Sequence, residues 1–485
     1  MIAAALSSAK ANARLAKPAA LALGMVSAFA LHFRPWEVAF LEEWPLAEYW
    51  ADRGPGAFAS HYFEWSLSRP LHLVPTEIGL ALTGGAPGGI FFILGLVAAA
   101  QFALMLWAIR PITRSFWLGV AVSLSIALHP LWPGGFLQRF LPAQTAALAL
   151  IIAMGFLIRW LQSGRRRSIV FAAITLILGL CVYPGPAVAA PLLAVVLAVL
   201  VRAPLRRRVA AVAVTTGVSA LLTTYSLVIT RLIAPGSGTY EASNFTATTL
   251  AGPRAAVRFI ATTLVGEGTL VIAGLLAIAA LGAVLALAGC IPQWAGWLMS
   301  GTALASPLCA LVFFGNASWL QDIDRVGYAI ALGLIPSLMV WPTVATRNRV
   351  RLQYAIAVLL VLTSVLGGVR GVQRWQPYID LQHKLLSEIA PVVREAKGKE
   401  VVYVVDHTGT FGSQYTLPQH YINSASHVTN QDSSKVWLCY LATDPPLDSA
   451  TLCDPSTNLS WRFIKSFDVA AGDVDVYIGR DASDE

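Results

Sequence analysis

Charge is scarce in this chain. Of its 485 residues only 12% are Asp, Glu, Lys or Arg, against 56% hydrophobic, and the mean hydropathy is +0.64. That excludes an ordinary soluble domain. No alternating apolar and polar pattern suggests a β-barrel. No internal or inverted repeat is visible, so the layout common in secondary transporters finds no support here. Cysteines number five. Cys181, Cys290 and Cys309 lie in apolar runs and read as packing residues. Cys439 and Cys453 are the one pair close together in a polar segment. An extracytoplasmic location would permit a disulfide between them, two buried thiols being the alternative.

Long apolar runs are what the chain does have. Many windows hold about 18 or more nearly uncharged residues, enough to cross a hydrocarbon core of roughly 30 Å. The expected fold is a polytopic α-helical membrane protein. The net charge of +8 gathers in short clusters between the runs: Arg110 and Arg114; Arg159 with 165–167; Arg202 with 206–208; and Arg347, Arg349 and Arg351. Clusters scattered between spans do not make a nucleic-acid-binding face. They fit cytoplasmic loops under the positive-inside rule. At the start, Lys10, Arg14 and Lys17 precede an apolar run in the manner of a signal peptide. There is no small-x-small cleavage site and the run is long enough to span, so a retained first helix is expected.

Placing every basic cluster inside threads the chain through eleven spans, at about 18–37, 88–109, 115–132, 141–158, 169–184, 186–201, 209–233, 269–290, 295–315, 328–345 and 354–371. The amino terminus is then cytoplasmic. Residues 38–87 form a first external loop and 234–265 a second. The segment 68–85 is apolar enough to suggest a span, but a crossing there would invert the loops that follow. It is expected as an external juxtamembrane helix, with Arg69, His72 and Glu77 among apolar neighbours. The transmembrane domain is expected to cover 1–371 and a small extracytoplasmic α/β domain 372–485. In the latter, 376–397 reads as an amphipathic helix, and VVYVVD, KVWLCYLA, WRFIKSF and DVDVYIG read as strands.

The stretch EVAFLEEWPLAEYW sets Glu42 and Glu43 beside Trp44 where the first apolar run ends. Trp50, His61, Glu64, Trp65, Arg69 and His72 follow in the same loop. Loop acids are commonly just solvated. A carboxylate held here can also take a proton from an attacking hydroxyl or bind a divalent metal, and aromatic faces can stack on sugar rings. Before the tenth run, NASWLQDIDRVGY places Asp322, Asp324 and Arg325 on the external side. A guanidinium there offers a planar fork to phosphate oxygens; an interfacial anchor or an Arg325–Asp322 pair is the plainer reading. Arg139, in PGGFLQRFLP, is a weaker candidate of the same kind. In CVYPGP the prolines shape a turn that can leave Tyr183 facing a cavity. Glu267 reads as an interfacial acid.

In layout the chain resembles the GT-C superfamily of membrane glycosyltransferases, which use polyprenyl-phosphate-linked sugars. The resemblance rests on several features: an in-to-out first span, the Glu42-Glu43 pair opening a long first loop, and a helix beginning Arg69-Pro70-Leu71. A Gly-rich turn with Pro87, a second span ending at Arg110, the Asp324-Arg325-Val326-Gly327-Tyr328 head of a late span, and an external C-terminal domain complete it. The resemblance implies that a first-loop acid is the catalytic base or a metal ligand. The superfamily often has Asp there; this chain has Glu twice, so Glu42 and Glu43 both stand. It also implies Arg325 at the donor phosphate. Arg69 and Arg139 are further phosphate candidates. Trp44, His61, His72, Tyr183, Asp322 and Asp324 are candidates for contacting substrate. No metal ligands are assigned, and a divalent cofactor is left open. The implied partners are a polyprenyl-phosphate sugar, a glycan or lipid-linked acceptor and membrane lipids, at a bacterial inner membrane. Serotype-converting glucosyltransferases, which decorate O-antigen in lipopolysaccharide, are similar in size and layout. A transporter or lipid flippase, an envelope assembly protein, and a polysaccharide polymerase or ligase are the alternatives.

The threading is testable with alkaline phosphatase fusions, active only when exported. Fusions after Thr83 and after Gly236 are expected to be active, and one after Gln162 inactive. An inactive Thr83 fusion would reverse the placement of 68–85.

Overall fold

The computed structural model describes residues 2–33, 39, 43–65, 67–129, 131–233, 252–313, 317–398, 400–407, 419–430, 436–440, 451–452, 461–469 and 472–480. A helix stands at each of the eleven apolar runs. Among the described residues, eight helices are long and apolar enough to cross a membrane. The other three expected spans are shorter. Phe116–Leu128 has 13 residues and Pro186–Leu200 has 15; Arg166–Val182 has 17. Their ends are set by local chemistry. His129 turns left-handed (φ 43°) after the first, and a proline opens the second. Thirteen residues rise only about 20 Å.

The four basic clusters share one end of the bundle. Gln162 Nε2 donates to the Pro111 carbonyl (3.1 Å), Arg207 Nη1 to the Gln162 carbonyl (3.1 Å) and Arg114 Nη1 to the Ala345 carbonyl (3.2 Å). The opposite end carries the C-terminal sheet and every candidate site residue in the described chain.

The core forms around Ile323–Val344, nearly all of whose residues are buried. It packs against Phe116–Leu128, Pro186–Leu200, Gln293–Ala305 and the 3-10 segment Ser306–Phe313. Close approach depends on Gly333: a Cβ there would lie 2.8 Å from Cys309 Sγ and Ser306 Cβ.

The expected juxtamembrane segment folds as turns over 67–73 and a ten-residue helix, Val74–Thr83. Ten residues rise about 15 Å, too little to cross. Gly84 (φ 65°) ends it, and Gly85 (φ 101°) follows in the same left-handed region. The helix lies backbone to backbone on the start of Gly88–Ile109. A Cβ on Gly89 would stand 1.9 Å from the Gly79 carbonyl oxygen.

Val350–Glu395 is one helix of 46 residues, about 69 Å long. The expected domain boundary at 371/372 falls inside it. Beyond that point Trp375, Ile379, Gln382, Leu386, Ile389 and Val393 are buried. They recur at alternating steps of four and three, a single helical face. The face meets a five-stranded sheet of order β3-β2-β1-β5-β4, with β1 Glu400–Asp406, β2 Val436–Tyr440, β3 Thr451–Leu452, β4 Arg462–Val469 and β5 Gly472–Arg480. β1 and β2 run parallel, as do β2 and β3, while β5 is antiparallel to both β1 and β4. The parallel β1–β2 pair is bridged by the helix Gln419–Asn430, as parallel neighbours require. The four expected strands are present. The short β3 and the Gln419–Asn430 helix were not foreseen, since QHYINSASHVTN carries little apolar signal. The Cys439–Cys453 bridge lies outside the described residues, as Cys453 is not among them.

Replacing Gly89 with Ala should force the Val74–Thr83 helix off its seat. The expected loss is about 1–3 kcal/mol of stability, read as a lower midpoint of thermal unfolding in detergent. Gly301→Ala, inside the Gln293–Ala305 helix with nothing within 4 Å of the added carbon, should hold the midpoint or raise it, since alanine favours the helix over glycine.

Candidate functional site

The turn at 67–73 is docked on the end of Arg166–Val182. Leu71 N–H donates to the Cys181 carbonyl (3.1 Å), and His72 Nδ1 meets the Val182 carbonyl at 3.0 Å. That carbonyl needs a donor, so Nδ1 carries the hydrogen. Arg69, one turn earlier, lies 3.4 Å from His72 Nε2. Burial, then the Arg69 guanidinium, and more weakly Arg325, hold His72 well below the usual imidazole range. At neutral pH it is therefore an uncharged ring.

Tyr183 follows immediately, at the end of the same helix. Its ring stacks near His72 (6.0 Å between centroids, 26°) and Trp319 (6.5 Å, 11°). It meets Tyr328 edge-on at 5.4 Å. Gly185 makes that contact possible, for a Cβ there would lie 2.1 Å from the Tyr328 ring. The Tyr183 hydroxyl is buried and has no hydrogen-bond partner among the described residues.

The third element is the start of Ile323–Val344. Asp322 caps it: Oδ1 accepts from the backbone N–H of Asp324 (2.9 Å) and of Arg325 (3.4 Å). Its other oxygen, Oδ2, accepts from Arg325 Nε at 3.1 Å. Arg325 then lies over the Trp319 ring, 4.2 Å from its centroid, while Arg69 approaches the same ring at 5.2 Å. The fold thus joins Arg69, His72, Tyr183, Asp322 and Arg325, five of the sequence candidates, around Trp319. That tryptophan was not singled out from the sequence. An Ala-Ser-Trp-Leu-Gln stretch before a capping aspartate carries no signal beyond its aromatic ring.

Asp324 belongs to a neighbouring group. It accepts from the Gly134 backbone and lies within electrostatic reach of Arg374 and Arg139. A Cβ on Gly134 would touch its carboxyl group at 2.8 Å. Arg139 also stands 5.4 Å from the Phe140 ring. Trp132, between the two groups, packs on Tyr328 at 4.9 Å. Arg374 was missed; a basic residue just past the last apolar run, at the end away from the other basic clusters, was its available signal.

The first-loop candidates form a third group. Glu42 lies outside the described residues. Glu43 is buried at the first turn of Glu43–Trp65, where a carboxylate suits the helix dipole. Trp44 is also buried. Its Nε1 donates to Gln382 Oε1 (3.3 Å) on the long helix. One side of it borders a cavity of about 690 Å³ lined by Phe33, Leu82, Pro87, Phe92 and Val428. Glu43–Trp65 is broken at Gly54 (φ 76°, ψ 173°), and Pro55 begins the second limb. The break folds His61 back onto Tyr49, with ring centroids 4.6 Å apart. On a straight helix twelve residues would separate them by about 18 Å. Tyr62 meets both rings edge-on. Burial, with Tyr49 and Glu48 adding, pushes its hydroxyl up to about 12. His61 therefore stands with these rings; the contacts described for it do not include the Trp319 group.

No family model, curated protein or solved structure matches this chain.

Because the folded chain keeps His72 neutral, the unfolded chain takes up its proton first as pH falls. The His72 contribution to stability is present above the unfolded value of about 6.5 and is lost as pH falls below it toward the depressed folded value. Thermal midpoints measured from pH 7.5 to 5 should fall more steeply for the wild type than for His72→Asn.

Proposed function

We propose that this protein is a membrane glycosyltransferase of the GT-C type, built on eleven spans. It moves a sugar from a polyprenyl-phosphate donor to a glycan or lipid-linked acceptor at the extracytoplasmic face. The observation that carries the reading is the convergence of Arg69 and Arg325 on Trp319 beside the buried Tyr183 hydroxyl. Two guanidiniums on one ring favour an anion with several acceptor oxygens, such as a phosphate. An unsatisfied buried hydroxyl is costly and is relieved by such an acceptor. A lipid-linked donor has to be met at the edge of the bilayer, because its tail stays there. This group lies at the ends of apolar helices, away from the basic loops.

The chemistry follows in one displacement. An acceptor hydroxyl oxygen attacks the anomeric carbon as the bond from that carbon to the phosphate oxygen breaks. Glu42 or Glu43 takes the hydroxyl proton as general base. The bonding pair leaves with the polyprenyl phosphate, whose growing negative charge the guanidiniums stabilise. Neutral His72, with its Nδ1 hydrogen on the Val182 carbonyl, can accept a hydrogen bond at Nε2 without adding a third positive charge. A single displacement inverts the anomeric centre.

Transfer from a panel of radiolabelled polyprenyl-phosphate sugars to an envelope glycan extract tests this. One of Glu42→Gln and Glu43→Gln should lose about 10²–10⁴-fold in rate while still binding donor. Arg69→Ala and Arg325→Ala should lose donor binding. Normal transfer by both acid variants, or a product that keeps the donor's anomeric configuration, would sink the mechanism.

A further inference from the structure

Glu48 and Asp52 lie four residues apart on the first limb of Glu43–Trp65, so their carboxylates share one helix face. His427, on the Gln419–Asn430 helix, meets them from a distant part of the chain. Its Nε2 is 3.0 Å from Asp52 Oδ1. One ligand atom from each of Glu48, Asp52 and His427 lies within 4.8 Å of the others. Ser424, one turn before His427, donates to Glu48 Oε2 and orients that carboxylate.

Two carboxylates set side by side repel each other, and a cation between them removes the repulsion. The donors are one imidazole nitrogen and two carboxylate oxygens. Such a mixed set suits Zn²⁺ and similar transition ions, whereas Mg²⁺ and Ca²⁺ prefer all-oxygen ligands. Zinc takes its ligands at about 2.0–2.2 Å, and the three donor atoms already lie within 4.8 Å of one another. The Asp52 side chain is 51% exposed, which leaves the face open for water to complete the shell.

We propose that Glu48, Asp52 and His427 form a divalent transition-metal site that clamps the first-loop helix to the C-terminal domain. The three residues have no part in the sugar-transfer chemistry above, so the site stands or falls apart from it. The ion would hold in place the limb that begins with Glu43 and Trp44, which the Trp44–Gln382 and Ser424–Glu48 hydrogen bonds also tie down. It is a structural ion: its ligands are drawn from two elements that the chain itself joins only through the whole bundle.

The full-length protein in detergent, stripped with a chelator and desalted, is titrated with Zn²⁺ by calorimetry. Bound metal is then measured by elemental analysis. The wild type should take up a single Zn²⁺ per chain, with a higher thermal midpoint. Asp52→Asn and His427→Gln should each lose at least about tenfold in affinity and most of the thermal shift. Asp52→His, which keeps a ligand at the position, should retain Zn²⁺ and shows that loss in the other variants is loss of a donor rather than of the fold. Mg²⁺ should give neither uptake nor shift. A wild type that binds no more Zn²⁺ than the Asp52→Asn/His427→Gln double variant would overturn the site.

Discussion

One carboxylate, that of Asp322, links the core of this protein to its candidate site. Through Oδ1 it caps the most buried helix of the bundle; through Oδ2 it holds the guanidinium of Arg325. An N-cap of this kind contributes about 0.5–2 kcal/mol. The more consequential effect is geometric. The start of Ile323–Val344 and the direction of Arg325 are set by the same group, so the arginine on Trp319 moves only if the core helix moves. Asp324, two residues on, points into a different environment beside Gly134. Neighbouring acids thus serve two separate groups.

Contacts between backbones position the other side of the site. Val74–Thr83 reaches Gly88–Ile109 because both helices present glycine, Gly79 and Gly89, where they meet. The turn bearing Arg69 and His72 hangs from that helix and is pinned to the carbonyls of Cys181 and Val182. Gly185 lets Tyr328 slide under the next turn, and Tyr328 donates to the Ala143 carbonyl at 2.9 Å. These close approaches leave little room for adjustment, since interiors are packed like crystals. An arginine on a loop is thereby held nearly as firmly as one on a helix.

The continuous helix Val350–Glu395 sets the relation between bundle and sheet. A hinge between domains would require a break, and there is none at the composition change near 371. Lys465–Glu388 and Arg462–Glu395 tie its last turns to β4. Pairs of this kind, exposed or only half-buried, contribute little energy; the buried face of the helix does the holding. Through Gln382 that same helix also fastens Trp44, so the first-loop limb rests on the element that carries the C-terminal domain.

Local chemistry was enough to read the helices of the eleven apolar runs and four of the five strands, but not the helices Glu43–Trp65, Gly252–Gly266 and Gln419–Asn430. Apolar runs, prolines, basic loop clusters and Val-rich stretches each act over a few residues, and the chain obeys them. The i,i+3 pairing of Asp322 with Arg325 was legible for the same reason. The Gly54 fold-back that brings His61 to Tyr49, the separation of Asp324 from Asp322, and the roles of Trp319, Arg374 and Gln382 were not. They depend on which helices are neighbours around the bundle. A periodicity of 3.6 residues says which face of a helix is apolar, not which other helix it meets. The sequence by itself determined a helical, apolar chain with a small α/β end. Only the tertiary structure decided that Arg69, Tyr183, Trp319 and Arg325, spread over more than half the chain, share one place, because packing between distant segments is set by side-chain volume and glycine gaps rather than by any local pattern.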